Sequence, residues 1–192
     1  MDARQRIIRA AIRLMKKNGL QGATTRAIAQ AANDNEVTLF RQFGSKRNLF
    51  QNVLSKLVYV PEMSELFPSP FQYELESDLL LFAKTYQDVL TRNRDLITIL
   101  LNSSDQGTWS EIDERLRFFP QQTTNRLCAY LAEMQQRGLL VAGPIEPQAM
   151  AFMSLNLGCF IYKTRVNSQL FLPPEEDFLF TSVKTFSRGI SA

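Results

Sequence analysis

Thr25-Arg26 and Ser45-Lys46-Arg47 place hydroxyl and cationic side chains at two points of one short region, with Asn35-Glu36-Val37-Thr38 between them. Where such residues open helices, their hydroxyls, cations and free backbone N–H groups are donors suited to phosphate oxygens. The intervening stretch, within ANDNEVTLFRQFGSK (residues 32–46), would then meet base edges in a major groove. Two features resist that reading. The turn Asn33-Asp34-Asn35 holds no glycine, and the acidic Glu36 sits where phosphates would approach.

The flanking sequence supplies the elements this arrangement needs. Ile7, Ala10, Ala11 and Leu14 form an i, i+3, i+4, i+7 stripe, widened by Ile8, Ile12 and Met15. Lys16-Lys17-Asn18-Gly19 closes it, with cations suited to a helix C-terminus and a glycine able to turn left-handed, which predicts a first helix over about residues 3–18. Thr24-Thr25 offers an N-cap to a short helix reaching Ala32. Asn35 caps a second, EVTLFRQF, expected to bury Leu39, Phe40 and Phe43. Gly44-Ser45 breaks that helix and caps another from Lys46, with Leu49, Phe50, Val53, Leu54, Leu57 and Val58 as its apolar positions. Two short helices across a tight turn, flanked by longer ones, make a helix-turn-helix pattern.

Beyond Val60, the three prolines of PEMSELFPSPFQYE mark a connection. Helices are then predicted over residues 73–91 and 94–102, over a segment 110–119, from Pro120 to Arg137 before Gly138, over 148–166, and over 175–188 behind Pro173-Pro174. No strand or repeat is visible, so the expected fold is all-α.

The chain has 192 residues, 45% of them hydrophobic, enough for a packed core. It contains no histidine, which removes the commonest general base and the commonest zinc ligand. Cys128 and Cys159 stand apart and read as buried structural thiols. Catalytic residues, metal and cofactor are all expected to be absent. Charges interrupt MDARQRIIRAAIRLMKKNG where a signal peptide needs an apolar core, and the longest apolar run, residues 149–162, falls short of the ~20 residues of a transmembrane helix. A cytoplasmic protein without a membrane partner is expected. Residues 1–56 hold 11 Lys+Arg against 3 Asp+Glu, a net +8, whereas residues 57–192 hold 11 against 16, a net −5. A basic head on an acidic body is the asymmetry of a chain that meets a polyanion with one part only.

Ala10-Ala11, Leu14, Gly19, Thr25, Ile28-Ala29, Ala32, Thr38-Leu39-Phe40, Phe43, Lys46 and Leu49 occur in an order and spacing, without insertion, that resembles the TetR/AcrR family of bacterial transcriptional repressors. The resemblance implies a three-helix helix-turn-helix DNA-binding domain over residues 1–48 and a helical ligand-binding and dimerisation domain over residues 49–192, about nine helices in all. It implies a homodimer on a palindromic double-stranded DNA operator, a repressor released by a small hydrophobic effector. Two-fold symmetric proteins read half-sites ~34–36 Å apart. A ligand that prefers another head spacing weakens DNA binding by linkage. The DNA-contacting set is then Thr25, Arg26, Asn35, Glu36, Val37, Thr38, Phe40, Arg41, Gln42, Ser45, Lys46 and Arg47. Two other readings compete: an interaction protein of this fold that has lost operator binding, and a small-molecule-processing enzyme.

Five residues depart from the family pattern. Many members carry Ala-Gly-Val-Ser where this chain has Ala32-Asn33-Asp34-Asn35. Asparagine is the non-glycine residue best able to turn left-handed, so Asn33 can make the turn. Asp34 replaces a usually apolar residue, and nothing in the sequence accounts for it. Phe40 stands where a tyrosine often donates to phosphate, and cannot donate; Gln42 stands where a histidine often does, and can. Glu36 can accept from a cytosine amino group.

In the body, residues 148–162 are apolar nearly all round, as in a helix covered on two sides. One side is expected to face the subunit core and the other an identical helix of a partner, with Phe152, Leu155, Cys159, Phe178, Val183 and Phe186 at the interface. Tyr59, Met63, Phe67, Phe82, Tyr86, Trp109, Phe118, Tyr130 and Met134 are the candidates for an apolar effector pocket.

Overall fold

Apolar residues at helical spacing become helices throughout the described chain. The structure, a computed structural model, describes residues 2–61, 71–103, 114–165 and 174–192, and the side chains of 114–119 and 175 are outside that description. Its helices are α1 (Ala3–Gly22), α2 (Thr25–Ala31), α3 (Glu36–Phe43), α4 (Lys46–Leu57), α5 (Leu75–Arg92), α6 (Arg94–Leu101), α7 (Glu114–Gln136), α8 (Ile145–Arg165) and α9 (Glu175–Ile190). No strand occurs among the described residues; Leu140 and Ser191 form one isolated antiparallel bridge. The all-α expectation holds.

The chain divides into two compact units, Met1–Tyr59 with Arg92–Arg117, and Val60–Thr91 with Phe118–Ala192. In the first, Ile7, Ala10, Ala11 and Met15 of α1 pack with Ile28 and Ala29 of α2, Leu39 and Phe43 of α3, and four residues of α4. The small alanines allow close approach of the helices. Leu96 and Ile99 of α6, both fully buried, complete this core. Each such side chain contributes about 1.5–3 kcal/mol on burial, so α6 is held firmly to the head.

The end of α1 is keyed into α6. Gly19 interrupts the helix at φ 70° and ψ −178°, a conformation open essentially only to glycine. Around it the Asn102 Nδ2 donates to the Lys16 carbonyl at 2.6 Å, the Leu20 N–H donates to Ser103 Oγ at 3.1 Å, and Lys16 pairs with Asp95.

The second unit is built on α5, α7, α8 and α9. Leu79, Phe82, Ala83 and Tyr86 are buried from α5, Leu127, Tyr130, Leu131 and Met134 from α7, Ala149, Phe152, Met153 and Phe160 from α8, and Leu179 and Val183 from α9. Two helix boundaries differ from expectation. Residues 114–136 form one helix that runs through Pro120, where a break was expected. Proline's φ is already helical, and losing one N–H strains a long helix without ending it. Likewise α8 begins at Ile145, because Pro147 in its first turn lacks only an N–H that has no intrahelical partner there. Gly138, at φ 74°, closes α7 as expected, with the Leu139 N–H reaching the Met134 carbonyl and the Gly138 N–H that of Gln135, both at 3.0 Å.

Gly19→Ala is expected to cost about 2–4 kcal/mol in urea denaturation. The new Cβ would lie 2.3 Å from the Asn102 carbonyl oxygen, on a backbone that already disfavours any side chain.

Candidate nucleic-acid interface

Three N-caps orient the head. Thr24 Oγ1 accepts from the Ala27 N–H at 3.2 Å to start α2, Asn35 Oδ1 from Thr38 at 2.7 Å to start α3, and Ser45 Oγ from Asn48 at 3.1 Å to start α4. The turn between α2 and α3 places Asn33 at φ 57°, so asparagine does take the left-handed position that glycine would fill. Asp34 also finds its role. Arg6 of α1 donates to its carboxylate at 2.7 Å and to the Ala32 carbonyl at 3.2 Å, while the Asp34 N–H bonds the Ala29 carbonyl at 3.0 Å. The residue that replaces an apolar one in the turn is an anchor for α1.

Other cations of α1 are spent in the same way. Arg4 donates to the Gln42 carbonyl and to Asn52 Oδ1, each at 3.0 Å, and lies 4.6 Å from the centre of the Phe43 ring. Arg13 reaches the Ala31 carbonyl at 3.3 Å. Together Arg6, Arg9, Arg13 and residues 31–33 line an open groove of about 440 Å³. Sequence reasoning missed Arg4, Arg6 and Arg13 because their partners lie 18 to 48 residues away.

The candidate contact residues divide into an outer set and a braced set. Arg26, Val37, Phe40, Arg41 and Arg47 are exposed; Thr25, Glu36, Thr38, Gln42, Ser45 and Lys46 are half-buried, and Asn35 is exposed at its cap. Phe40 was expected inside, yet it is 43% exposed, because Leu39 and Phe43 already fill the inward face of α3. The Lys46 ammonium lies 5.0 Å from the centre of the Phe50 ring. Thr25 donates its hydroxyl to Glu36 Oε1 at 2.6 Å, which ties the first turn of α2 to the first residue of α3. Sequence assigned these two groups separate jobs on DNA; the free chain joins them.

Residues 7–53 match the model of a protein family described as bacterial regulatory proteins, tetR family. The chain is 29% identical over 188 residues to an uncharacterised HTH-type transcriptional regulator, YvkB, of Bacillus subtilis (strain 168), covering 98% of this chain and 97% of that protein. Among solved structures it is similar to native NalD, the secondary repressor of the MexAB-OprM multidrug efflux pump in Pseudomonas aeruginosa, with 25% identity, a TM-score of 0.69, and 98% and 96% of the two chains covered. A second NalD structure, at 21% identity and a TM-score of 0.60, shares the fold over 98% of this chain and 95% of that one. The match places the head of the chain, residues 7–53, with the tetR family of bacterial regulatory proteins. The proteins it resembles are transcriptional regulators, not enzymes.

In the second unit, the candidate pocket residues Phe82, Tyr86, Tyr130 and Met134 are all buried. Phe82 stacks on Tyr86 at 5.8 Å and tilts against Phe152 at 5.9 Å, while Tyr130 packs on Phe71 at 4.5 Å. Burial pushes the Tyr86 phenol up to about 12; burial, and then the 2.9 Å hydrogen bond to Asp78, raises Tyr130. Both phenols are therefore neutral at physiological pH. Tyr59 lies in the first unit, under the Arg92 guanidinium at 4.6 Å. Met63, Phe67 and Trp109, and the side chain of Phe118, lie outside the described residues. No helix of the described chain is long and apolar enough to cross a membrane.

The regulator's α8 has two faces. Phe152 and Val183 of α9, proposed for an interface, are buried in the chain's own core, whereas Leu155 is exposed and Cys159, Phe178 and Phe186 are half-buried. The outer face of α8 consists of Met150, Ala151, Ser154, Leu155, Gly158 and Tyr162. Cys128 and Cys159 are half-buried thiols that form no disulfide, and burial holds Cys128 above its ordinary pKa. A buried polar contact escaped the sequence: Gln87 of α5 donates to the Asn156 carbonyl of α8 at 2.7 Å.

Asn33→Gly should leave stability near wild type, while Asn33→Val should lose about 1–2 kcal/mol through left-handed strain. Arg6→Ala and Asp34→Ala should each cost about 1–2 kcal/mol, between the surface and buried ion-pair ranges. The double variant should cost little more than either single one; urea melts of all four proteins would reveal additive losses if the pair were idle.

Proposed function

We propose that the regulator is a repressor that binds a palindromic operator as a homodimer and is released by a small hydrophobic effector. The observation that carries the reading is the outer face of α3. It is open to solvent and flanked in sequence by Thr25 and Arg26 before it and Ser45, Lys46 and Arg47 after it. An α-helix fits the major groove, and donors at the neighbouring helix starts are placed for the phosphates beside it. Residues 1–48 act as the DNA-reading head, in the cytoplasm, and residues 49–192 hold the effector and the partner subunit. The likeness to NalD, a repressor, supports this sign of regulation.

Dimerisation falls to α8 and α9. Met150 is 57% exposed, Leu155 36%, Tyr162 41% and Phe180 49%, more apolar surface than a helix pair needs to leave in water. Small residues between them, Ala151, Ser154 and Gly158, let an identical helix approach closely. The effector binds among the buried aromatic side chains of the second unit, where burial of an apolar ligand supplies affinity. It releases DNA by favouring a head spacing that does not match the half-sites.

Selection from a random DNA pool, with gel shifts on the region upstream of the gene, tests the reading. Inverted repeats with half-sites one turn apart are expected, and no retained sequence at low salt, with folded dimer present, would sink it. Lys46→Ala should weaken binding nearly equally on all sequences and lower the slope of log Kd against log salt by about 1. Gly158→Glu has room within the subunit, since an added Cβ meets nothing within 4 Å. It should leave the thermal midpoint of the fold in place yet give monomers in sedimentation; dimers of unchanged stability would remove α8 from the interface.

A further inference from the structure

Two apolar side chains occupy the outer face of α3. Val37 is 76% exposed and Phe40 43%, three residues apart and so on one side of an eight-residue helix. A lone exposed valine needs no explanation, but neither helix propensity nor packing favours a β-branched residue followed by an aromatic one at these places. Two polar side chains beside Val37 are engaged within the chain: Glu36 accepts the Thr25 hydroxyl and Asn35 caps α3. The first turn of the reading helix thus presents a pair of methyls to solvent.

Only one apolar group projects from base edges into the major groove, the C5-methyl of thymine. We propose that Val37 reads a thymine methyl in each half-site, making this regulator's base recognition partly apolar, with Phe40 walling the same contact. The inference rests on the operator-binding reading. Glu36, held by Thr25, braces α3 against α2 and leaves that base pair to Val37. Burial of one methyl corresponds to roughly a fourfold change in affinity.

The test uses an operator selected by the full-length dimer, with each thymine of the half-site replaced in turn by uracil, which keeps the hydrogen-bonding edge and removes the methyl. One position per half-site should weaken wild-type binding about fourfold. Val37→Ala should bind the thymine operator about as weakly and show no further loss with uracil. Val37 lies outside the core, so an unchanged thermal midpoint certifies the fold of that variant. Uracil without effect at every position overturns the proposal, as does a full uracil penalty retained in Val37→Ala. A penalty abolished by Phe40→Ala and kept by Val37→Ala overturns the assignment to Val37. Failure to select any operator is a different result and strikes the operator-binding reading instead.

Discussion

The direction of α3 depends on a turn of four residues that is gripped from outside by Arg6. Asn33 supplies the left-handed bend, and Asp34 returns its backbone N–H to α2 while its carboxylate meets the guanidinium of α1. A bend made by one residue fixes an angle only if its neighbours cannot rotate. The ion pair supplies that restraint, and the caps at Asn35 and Ser45 carry the fixed angle into the flanking helices. A glycine-free turn in this position thus works as a cross-linked one.

The same bonds redistribute charge. Of the cations that make residues 1–56 basic, Arg4, Arg6, Arg13 and Lys16 are held by carbonyls, an amide or carboxylates of the chain itself. Their long-range field still attracts a polyanion, since only Arg6 and Lys16 are paired with acids. Arg26, Arg41 and Arg47 stay exposed and Lys46 half-buried, around an outer surface that carries Val37 and Phe40.

In the second unit, polar groups appear inside an aromatic core. Gln87 and Asn156 are nearly inaccessible, and the bond between the Gln87 amide and the Asn156 carbonyl links α5 to α8 across Phe82 and Phe152. Buried amides cost several kcal/mol when unpartnered, so such a bond fixes the register of two helices more sharply than interchangeable aliphatic contacts do. The outer side of α8 presents Met150, Leu155 and Tyr162 between the small residues Ala151, Ser154 and Gly158.

Helix positions, the caps at Asn35 and Ser45, the left-handed Asn33 and the closing Gly138 were legible in the sequence alone, because each is decided by residues within four or five positions. The family-like spacing of residues 7–53 was legible for the same reason. Position along the chain did not disclose that Arg6 answers Asp34, that Thr25 and Glu36 join, or that Leu96 and Ile99 complete the core of the head. Nor did it settle which apolar side chains face outward: Phe40 and Leu155 emerge, while Phe152 and Val183 turn inward. An amphipathic pattern states that a helix has an apolar side, but when apolar residues exceed one side, only the packing of distant helices decides which are covered.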